Sequence, residues 1–136
     1  MSFENFGVVS FTTETKASDF VGYLEEGRVM ATRCRKCGTN YFPPRMDCPK
    51  CVGSDVEWFE IKRNGRLVTY TVVNYGPTGF EEDAPYTLAI ADFDEVRAFG
   101  RISKGIKEGD IKPGMGLKIL PVKLPGDRIG YEFQKV

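Results

Sequence analysis

At 136 residues the chain has room for one domain, or for one domain carrying a small module. Nineteen Lys and Arg balance nineteen Asp and Glu, so whole-chain charge gives no reason to expect nucleic acid or an anionic membrane surface, and no apolar run approaches the ~20 residues of a membrane span. Histidine is absent, which excludes Ser–His and Cys–His nucleophile activation within the chain and any mixed Cys–His metal site.

The start, MSFENFGVV, lacks the basic segment and apolar stretch of a secretory signal. Residues 1–17 have no clean periodicity and read as an arm, ordered only if something packs on it, with VVSFTT able to form a short strand. Ser18 reads as the N-cap of a short helix with Asp19 near its positive end. Phe20, Tyr23 and Leu24 fall at i, i+3 and i+4 on one face, and Gly27 can end the helix. Such a helix covers one edge of a core or is presented to a partner. RVMATR then enters the cysteine region as a strand.

All four cysteines lie between positions 34 and 51, in CRKCGTNYFPPRMDCPKC. Two residues between the cysteines of a pair let one tight turn aim both sulfurs at a point, and two facing turns supply four thiolates to a tetrahedral ion. Cys34, Cys37, Cys48 and Cys51 are therefore the expected ligands of one structural Zn2+, with iron as the alternative. Without an export signal the thiols read as metal ligands in a reducing cytoplasm; two disulfides in an exported protein are the other possibility. Gly38 sits where backbone N–H groups curl toward sulfur. Tyr41 and Phe42 resume a strand, Pro43-Pro44 force an extended turn, and VEWFEI leaves the module as another strand. The module has little apolar core of its own, so the metal is expected to serve as its core.

The remainder reads as β-structure. Asn64-Gly65 is a turn signal and LVTYTVVNY is rich in β-branched and aromatic residues. GPTGFEEDAP is a long punctuated loop, YTLAIADF a second strand, Asp94-Glu95 a tight turn and VRAFGRI a third strand. SKGIKEGDIKPGM holds at most one helical turn before LKILPVK, and Pro125-Gly126-Asp127 turns the chain into IGYEFQ. Five short strands, a long first loop and a break between the third and fourth match an OB barrel, with a split sandwich as the alternative. The expected class is mainly β: a helical N-terminal segment (1–27), a four-cysteine zinc ribbon (28–60) and a five-stranded OB-fold barrel (61–136).

SDFVGYLEEGRVMATRC, CxxCG, YFPPR, CPxC, the NG turn, YTVV, a Phe-containing loop ending in PY, and PGM-x-L-x-I occur here in the order seen in one family. Over about residues 18–134 the chain resembles the proteins that join a rubredoxin-like zinc ribbon to an OB fold, the domain of unknown function 35 family. PPR before CPxC is the most specific part. The family commonly has Gly directly after the fourth cysteine, where this chain has Val52-Gly53. That departure, with the short spacer between the pairs, argues against a close analogy to an iron rubredoxin.

The resemblance implies a non-catalytic, zinc-binding accessory subunit. Family members sit beside thiolases, thiolase-like synthases or aldolases that act on acyl-coenzyme A. Within the family the opening looks most like the bacterial small subunits of thiolases in anaerobic aromatic-acid or toluene degradation, and the archaeal acetoacetyl-CoA assembly proteins look similar. This chain could not supply thiolase chemistry itself, since that needs a free cysteine and an activating base.

Candidate contacts to coenzyme A or to the partner follow. Between residues 33 and 50, Arg33, Arg35, Lys36, Arg45 and Lys50 face one acid, Asp47. Four thiolates on Zn2+ leave that site at −2 and offset about half the excess. The residue suits a coenzyme A phosphate or an acidic partner surface and is thin for a nucleic-acid footprint. Tyr70, Tyr75, Tyr86 and Phe93 are spaced as core or pairing residues rather than as a stacking face. Phe80 reads as an exposed apolar residue that reaches a partner groove or an acyl chain. Arg97 and Arg101 share the outward face of the third barrel strand, with Phe99 between them unless Gly100 marks a bulge. Asp92, Asp94 and Glu95 read as a solvated hairpin turn. A nucleic-acid-binding ribbon–OB protein and an iron electron carrier stand as the competing readings.

Overall fold

A computed structural model describes residues 2–10 and 15–136. The four-residue gap takes in half of VVSFTT; Val8, Val9 and Ser10 are in no strand, and Phe11, Thr12 and Thr13 lie outside the described residues. The arm is tied down instead at Phe3–Asn5, a single 3-10 turn, and at Phe6, which bridges to Ile129 in parallel. Gly7 N–H donates to the Ile129 carbonyl at 2.7 Å, and the Arg128 guanidinium donates to the Gly7 and Phe6 carbonyls at 2.6 and 3.0 Å.

Helix α1 spans Asp19–Glu25 and buries Phe20, Val21 and Leu24. Its far end carries the expected glycine stop. Gly27 has φ of 84°, its N–H bonds to the Leu24 carbonyl and the Arg28 N–H to the Tyr23 carbonyl, which satisfies two carbonyls the last turn would orphan. The near end differs from expectation. Ser18 already has helical dihedrals and makes no capping bond; its hydroxyl donates back to the Thr15 carbonyl at 2.7 Å. Thr15 takes over the turn, its own hydroxyl accepting from Ala17 N–H at 3.1 Å.

Three strands form the first sheet, in the order β2-β1-β3: β1 Met30–Cys34, β2 Asn40–Tyr41 and β3 Val56–Glu60. Five strands close the barrel in the order β4-β5-β6-β8-β7: β4 Gly65–Val73, β5 Tyr86–Asp92, β6 Arg97–Ile102, β7 Gly116–Leu124 and β8 Arg128–Lys135. Closure makes this an OB-type barrel rather than a split sandwich. The long break between β6 and β7 holds one 3-10 turn, Glu108–Asp110.

Asn64-Gly65 is no hairpin turn. Gly65 opens β4, because a Cβ there would stand 2.7 Å from the Asp92 carbonyl oxygen and 2.8 Å from the Phe93 ring. Gly100 marks no bulge either: β6 pairs with β5 in unbroken register, and the missing Cβ makes room for the Tyr131 and Phe133 rings.

The ribbon is less self-sufficient than its sequence suggests. Val29, Ala31 and Phe42 belong to the same buried cluster as Leu67, Phe93 and Phe133 of the barrel. Phe20 of α1 joins the two parts, edge-on to Phe42 at 5.9 Å and to Tyr131 at 5.9 Å. The helix thus fills the joint between ribbon and barrel, which favours its core-covering role over presentation to a partner.

Candidate metal centre

Each cysteine pair builds its turn with the same two backbone bonds. In the first, Cys34 N–H donates to the Thr39 carbonyl at 2.9 Å and Gly38 N–H returns to the Cys34 carbonyl at 2.8 Å. In the second, Cys48 N–H donates to the Gly53 carbonyl and Val52 N–H to the Cys48 carbonyl, both at 2.8 Å. Gly38 and Val52 occupy equivalent left-handed positions, with φ of 75° and 52°. The absence of glycine after Cys51 therefore leaves the turn intact. It puts a β-branched residue where one is strained.

The four sulfurs lie within 4.8 Å of one another. Zinc with Zn–S bonds of about 2.3 Å places its sulfurs about 3.8 Å apart, and Cys37 Sγ and Cys48 Sγ stand 3.7 Å apart. The donor set fits as well. Cys37 and Cys34 push the Cys51 thiol up to about 12, so a cation is what allows all four sulfurs to ionise together.

Hydrogen bonds already favour thiolate at two positions. Tyr41 Oη lies 3.3 Å from Cys48 Sγ and, with the Cys51 and Lys50 N–H groups, holds that thiol down to about 6. The same bond, followed by burial, pushes the Tyr41 phenol up to about 12. Thr39 lowers Cys37 through its hydroxyl, 3.1 Å away, and its N–H. Sequence reading gave Tyr41 only a strand and Thr39 nothing. A hydroxyl a few residues beyond a cysteine in this motif was the available signal. Thr32 was missed too: fully buried, its hydroxyl donates to the Arg45 carbonyl at 2.8 Å and accepts from Arg45 N–H at 2.9 Å, which fixes the approach to the second turn.

The candidate contact residues fall into separate places. Arg45 and Arg97 share a cleft of about 410 Å³ between the ribbon and the β5–β6 hairpin, together with Asp92, Asp94 and Glu95. Arg45 lies over the Tyr41 ring, and Arg97 pairs with Asp92 at 3.7 Å. Asn40 ties the cleft walls together by donating to the Glu95 carbonyl at 2.8 Å. The hairpin turn is local, as expected, with Asp94 at φ of 69° and its N–H on the Asp92 carboxylate.

Phe80 and Arg101 line a different groove, of about 530 Å³, with Val9, Leu88 and Phe99. Phe80 is half-buried and tilts against Tyr86 at 6.3 Å. Arg101 lies over the Tyr86 ring and pairs with Asp83, so it straps the 76–85 loop to the barrel. Burial pushes the Asp83 carboxyl up, but Lys104 and Arg101 outweigh it and hold the group below its usual range. Phe99 is exposed in this groove, and outside it Tyr75 is 93% exposed, which corrects its reading as a core or pairing residue. It follows the end of β4 and so escapes the strand's alternation. Tyr86 and Phe93 are buried, and Tyr70 packs against the core. Lys50 stands apart, exposed on the second cysteine turn.

Around the ribbon, β3 and the residue before it supply acids that a count over residues 33–50 leaves out. Arg35 pairs with Asp55 at 3.3 Å and Glu57 at 3.6 Å, Arg33 with Glu57 at 3.8 Å, and Arg28 with Glu60 at 2.9 Å. Over residues 28–60, six cations meet four acids. Zinc on four thiolates would make the module neutral.

Two family models cover the chain in sequence: the ChsH2 rubredoxin-like zinc ribbon domain matches residues 23–57, and the ChsH2 C-terminal OB-fold domain matches residues 58–120. A DUF35 domain-containing scaffold protein of Methanocaldococcus jannaschii is 35% identical over 116 residues, which cover 79% of this chain and 82% of that protein. The chain belongs to the DUF35 family. Benzoylsuccinyl-CoA thiolase subunit BbsA of Thauera aromatica is 32% identical over 71 residues, 52% of this chain and 48% of BbsA. Among solved structures, a chain of the Ltp2-ChsH2(DUF35) aldolase superposes with a TM-score of 0.75 at 21% identity, over 93% of this chain and 98% of that one. At that identity the likeness concerns the fold. It places this DUF35 chain's ribbon and barrel in a known architecture. Among the described residues no helix is long and apolar enough to cross a membrane.

Proposed function

We propose that this chain is a non-catalytic zinc-binding accessory subunit that docks on a thiolase-family enzyme, an acyl-CoA C-acyltransferase or a related synthase or aldolase, and assists acyl-CoA handling. What carries the reading is the likeness, through ribbon and barrel alike, to DUF35 scaffold proteins, joined by a thiolase subunit over half the chain. The chemistry agrees. Cys34, Cys37, Cys48 and Cys51 would hold one Zn2+ in a closed shell without the open position that catalytic zinc keeps. When bound, the ion would cross-link the two turns and neutralise thiolate charge. With no histidine and all four cysteines so engaged, the nucleophile belongs to the partner.

Ribbon (28–60) and barrel (61–136) act in this reading as one docking body in the cytoplasm, where the thiols stay reduced. Among the described residues Lys36, Arg45 and Lys50 are the ribbon cations without an acidic partner, and Arg45 and Lys50 would meet an acidic enzyme surface. Arg97 shares its cleft with three acids, which disfavours a coenzyme A phosphate there and favours a protein contact. Arg101, engaged with Asp83, would act by holding Phe80 and its loop in place. The likeness to BbsA favours an aromatic acyl-CoA, as in anaerobic degradation of aromatic compounds. Ribbon neutrality counts against nucleic acid, whose binding would require several phosphate-neutralising cations.

Co-expression with the thiolase encoded alongside tests this: the two should co-purify, with one zinc per accessory chain. Elution free of that enzyme, or thiolase turnover by the isolated chain, overturns the proposal. A red protein holding iron would favour the electron carrier instead.

A further inference from the structure

The loop between β4 and β5 has both its ends at one place. Val73 and Tyr86 are paired in the barrel ladder, so residues 74–85 leave and return side by side, as in a compact Ω-loop. The loop's backbone bonds are internal. Phe80 N–H donates to the Pro77 carbonyl at 2.8 Å, Asp83 N–H to the Phe80 carbonyl at 3.1 Å, and Gly79 N–H to the Glu81 carboxylate at 2.9 Å. Gly76 lets the segment fold on itself, since a Cβ there would stand 2.3 Å from the Phe80 carbonyl oxygen. Among the described residues no backbone–backbone bond joins 74–85 to the rest of the chain.

Side chains alone hold the loop down. Phe80 tilts against Tyr86 at 6.3 Å, and Val9 of the arm lies against Gly79, where a Cβ would stand 2.8 Å from its Cγ1. Among the described residues every charged tie from loop to barrel runs through Asp83. Its Oδ2, shielded from water, faces the Arg101 guanidinium. Its Oδ1 and its carbonyl accept from Lys104 Nζ at 3.1 and 2.6 Å. Glu81 and Glu82 are exposed. The receiving side is built without the loop: Arg101 belongs to β6 and rests over the ring of Tyr86, in β5, at 4.5 Å. Asp83 can therefore leave without dismantling what it binds. Its departure opens Arg101 to water and strands no buried cation, which is the usual penalty for breaking such a pair.

We infer that residues 74–85 form a strap that swings as one body about the Val73–Tyr86 pair and that Asp83 latches shut. Latched, the strap keeps Phe80 half-buried in the groove of about 530 Å³. Released, it turns Phe80 outward and widens that groove, at no cost in backbone hydrogen bonds to the barrel. The latch thus sets whether an apolar side chain is withdrawn or presented at this face, whatever the partner is.

NMR of the zinc-loaded full chain tests the inference. In D83A the ring–ring proton contacts between Phe80 and Tyr86 should weaken by about threefold or more, as expected for losing an ion pair. Amide exchange at positions 80 and 83, whose bonds travel with the strap, should stay within about threefold of wild type. K104A removes one of the two cations and should weaken the ring contacts less. Unchanged contacts in D83A, or a larger loss in K104A than in D83A, overturn the latch. If exchange at 80 and 83 accelerates about tenfold or more as the contacts fade, the loop melts instead of swinging, and the one-body inference is wrong. Shifts that spread through β7 and β8 would make Asp83 part of the barrel's own stability and would equally overturn it.

Discussion

Ribbon and barrel are stabilised by different physics although they share one buried cluster. The barrel encloses Leu67, Phe93, Leu117 and Phe133 among strands whose backbone groups are largely paired. The ribbon has a two-stranded hairpin, one further strand and two sulfur-bearing turns, and its own apolar contribution is a single face laid against α1 and the barrel. Where a core is that thin, the ion does the work of the core. Removing the zinc should therefore have the largest effect and a regional one. Structural zinc contributes about 10–16 kcal/mol apparent, comparable with the ~5–15 kcal/mol net stability of a whole domain. With a strong chelator, amide exchange should lose protection across β1, β2 and β3 and keep most of it in β5, β6, β7 and β8. Trp58, the only tryptophan, sits in β3 beside Tyr23 and should report the loss in its fluorescence. Simultaneous collapse of both regions would show that the shared cluster couples them into one unit.

The converse disturbance starts in the barrel. Phe133 is fully buried, stacked on Phe93 at 6.1 Å, and fits the space that Gly100 leaves open. Phe133→Ala should destabilise the chain by about 3–5 kcal/mol in denaturant unfolding, since the lost transfer free energy and the cavity add. Zinc affinity of the folded protein should change little. A large fall in affinity would mean that the barrel sets the sulfur geometry.

A smaller test separates the ion from the polar groups that hold its ligands. Tyr41→Phe removes the hydroxyl on Cys48 Sγ and leaves the ring under Arg45. Losing a ligand's outer hydrogen bond typically costs 10–100-fold in metal affinity, so competition with a chromogenic chelator should show a loss in that range. The thermal midpoint of the barrel should barely move. No change in affinity would make the 3.3 Å contact incidental.

The sulfurs were legible in the sequence because a two-residue spacing has one good geometric use. The barrel strands were legible because alternation survives in each of them: Arg97, Phe99 and Arg101 point out while Ala98, Gly100 and Ile102 are buried. What escaped depends on register between distant segments. Arg33 stands opposite Glu57 in the β1–β3 ladder, so the ribbon's charge balance is set by a strand that a linear window leaves out. Tyr41 reaches Cys48 and Thr32 reaches Arg45 only after the chain has turned back on itself. Tyr75 failed for a local reason, since alternation predicts nothing beyond the last paired residue, Val73.

The finest test compares the two cysteine turns with each other. Their backbone bonds correspond one for one, yet the left-handed position is Gly38 in the first and Val52 in the second. A β-branched residue there costs about 1–2 kcal/mol, and Val52 recovers nothing by packing, being 88% exposed. Glycine's extra freedom in the unfolded chain takes back part of the gain, so Val52→Gly should stabilise the zinc-bound ribbon by about 1 kcal/mol. Zinc loss to a chelator should slow accordingly. Gly38→Val should do the reverse by a similar amount, because a Cβ at Gly38 meets nothing within 4 Å and only backbone strain is added. The double variant should return close to wild type if strain is the whole effect. If Val52→Gly holds zinc more firmly yet co-purifies less thiolase, then the exposed valine is a docking contact, and the strain in the second turn is the cost of presenting it.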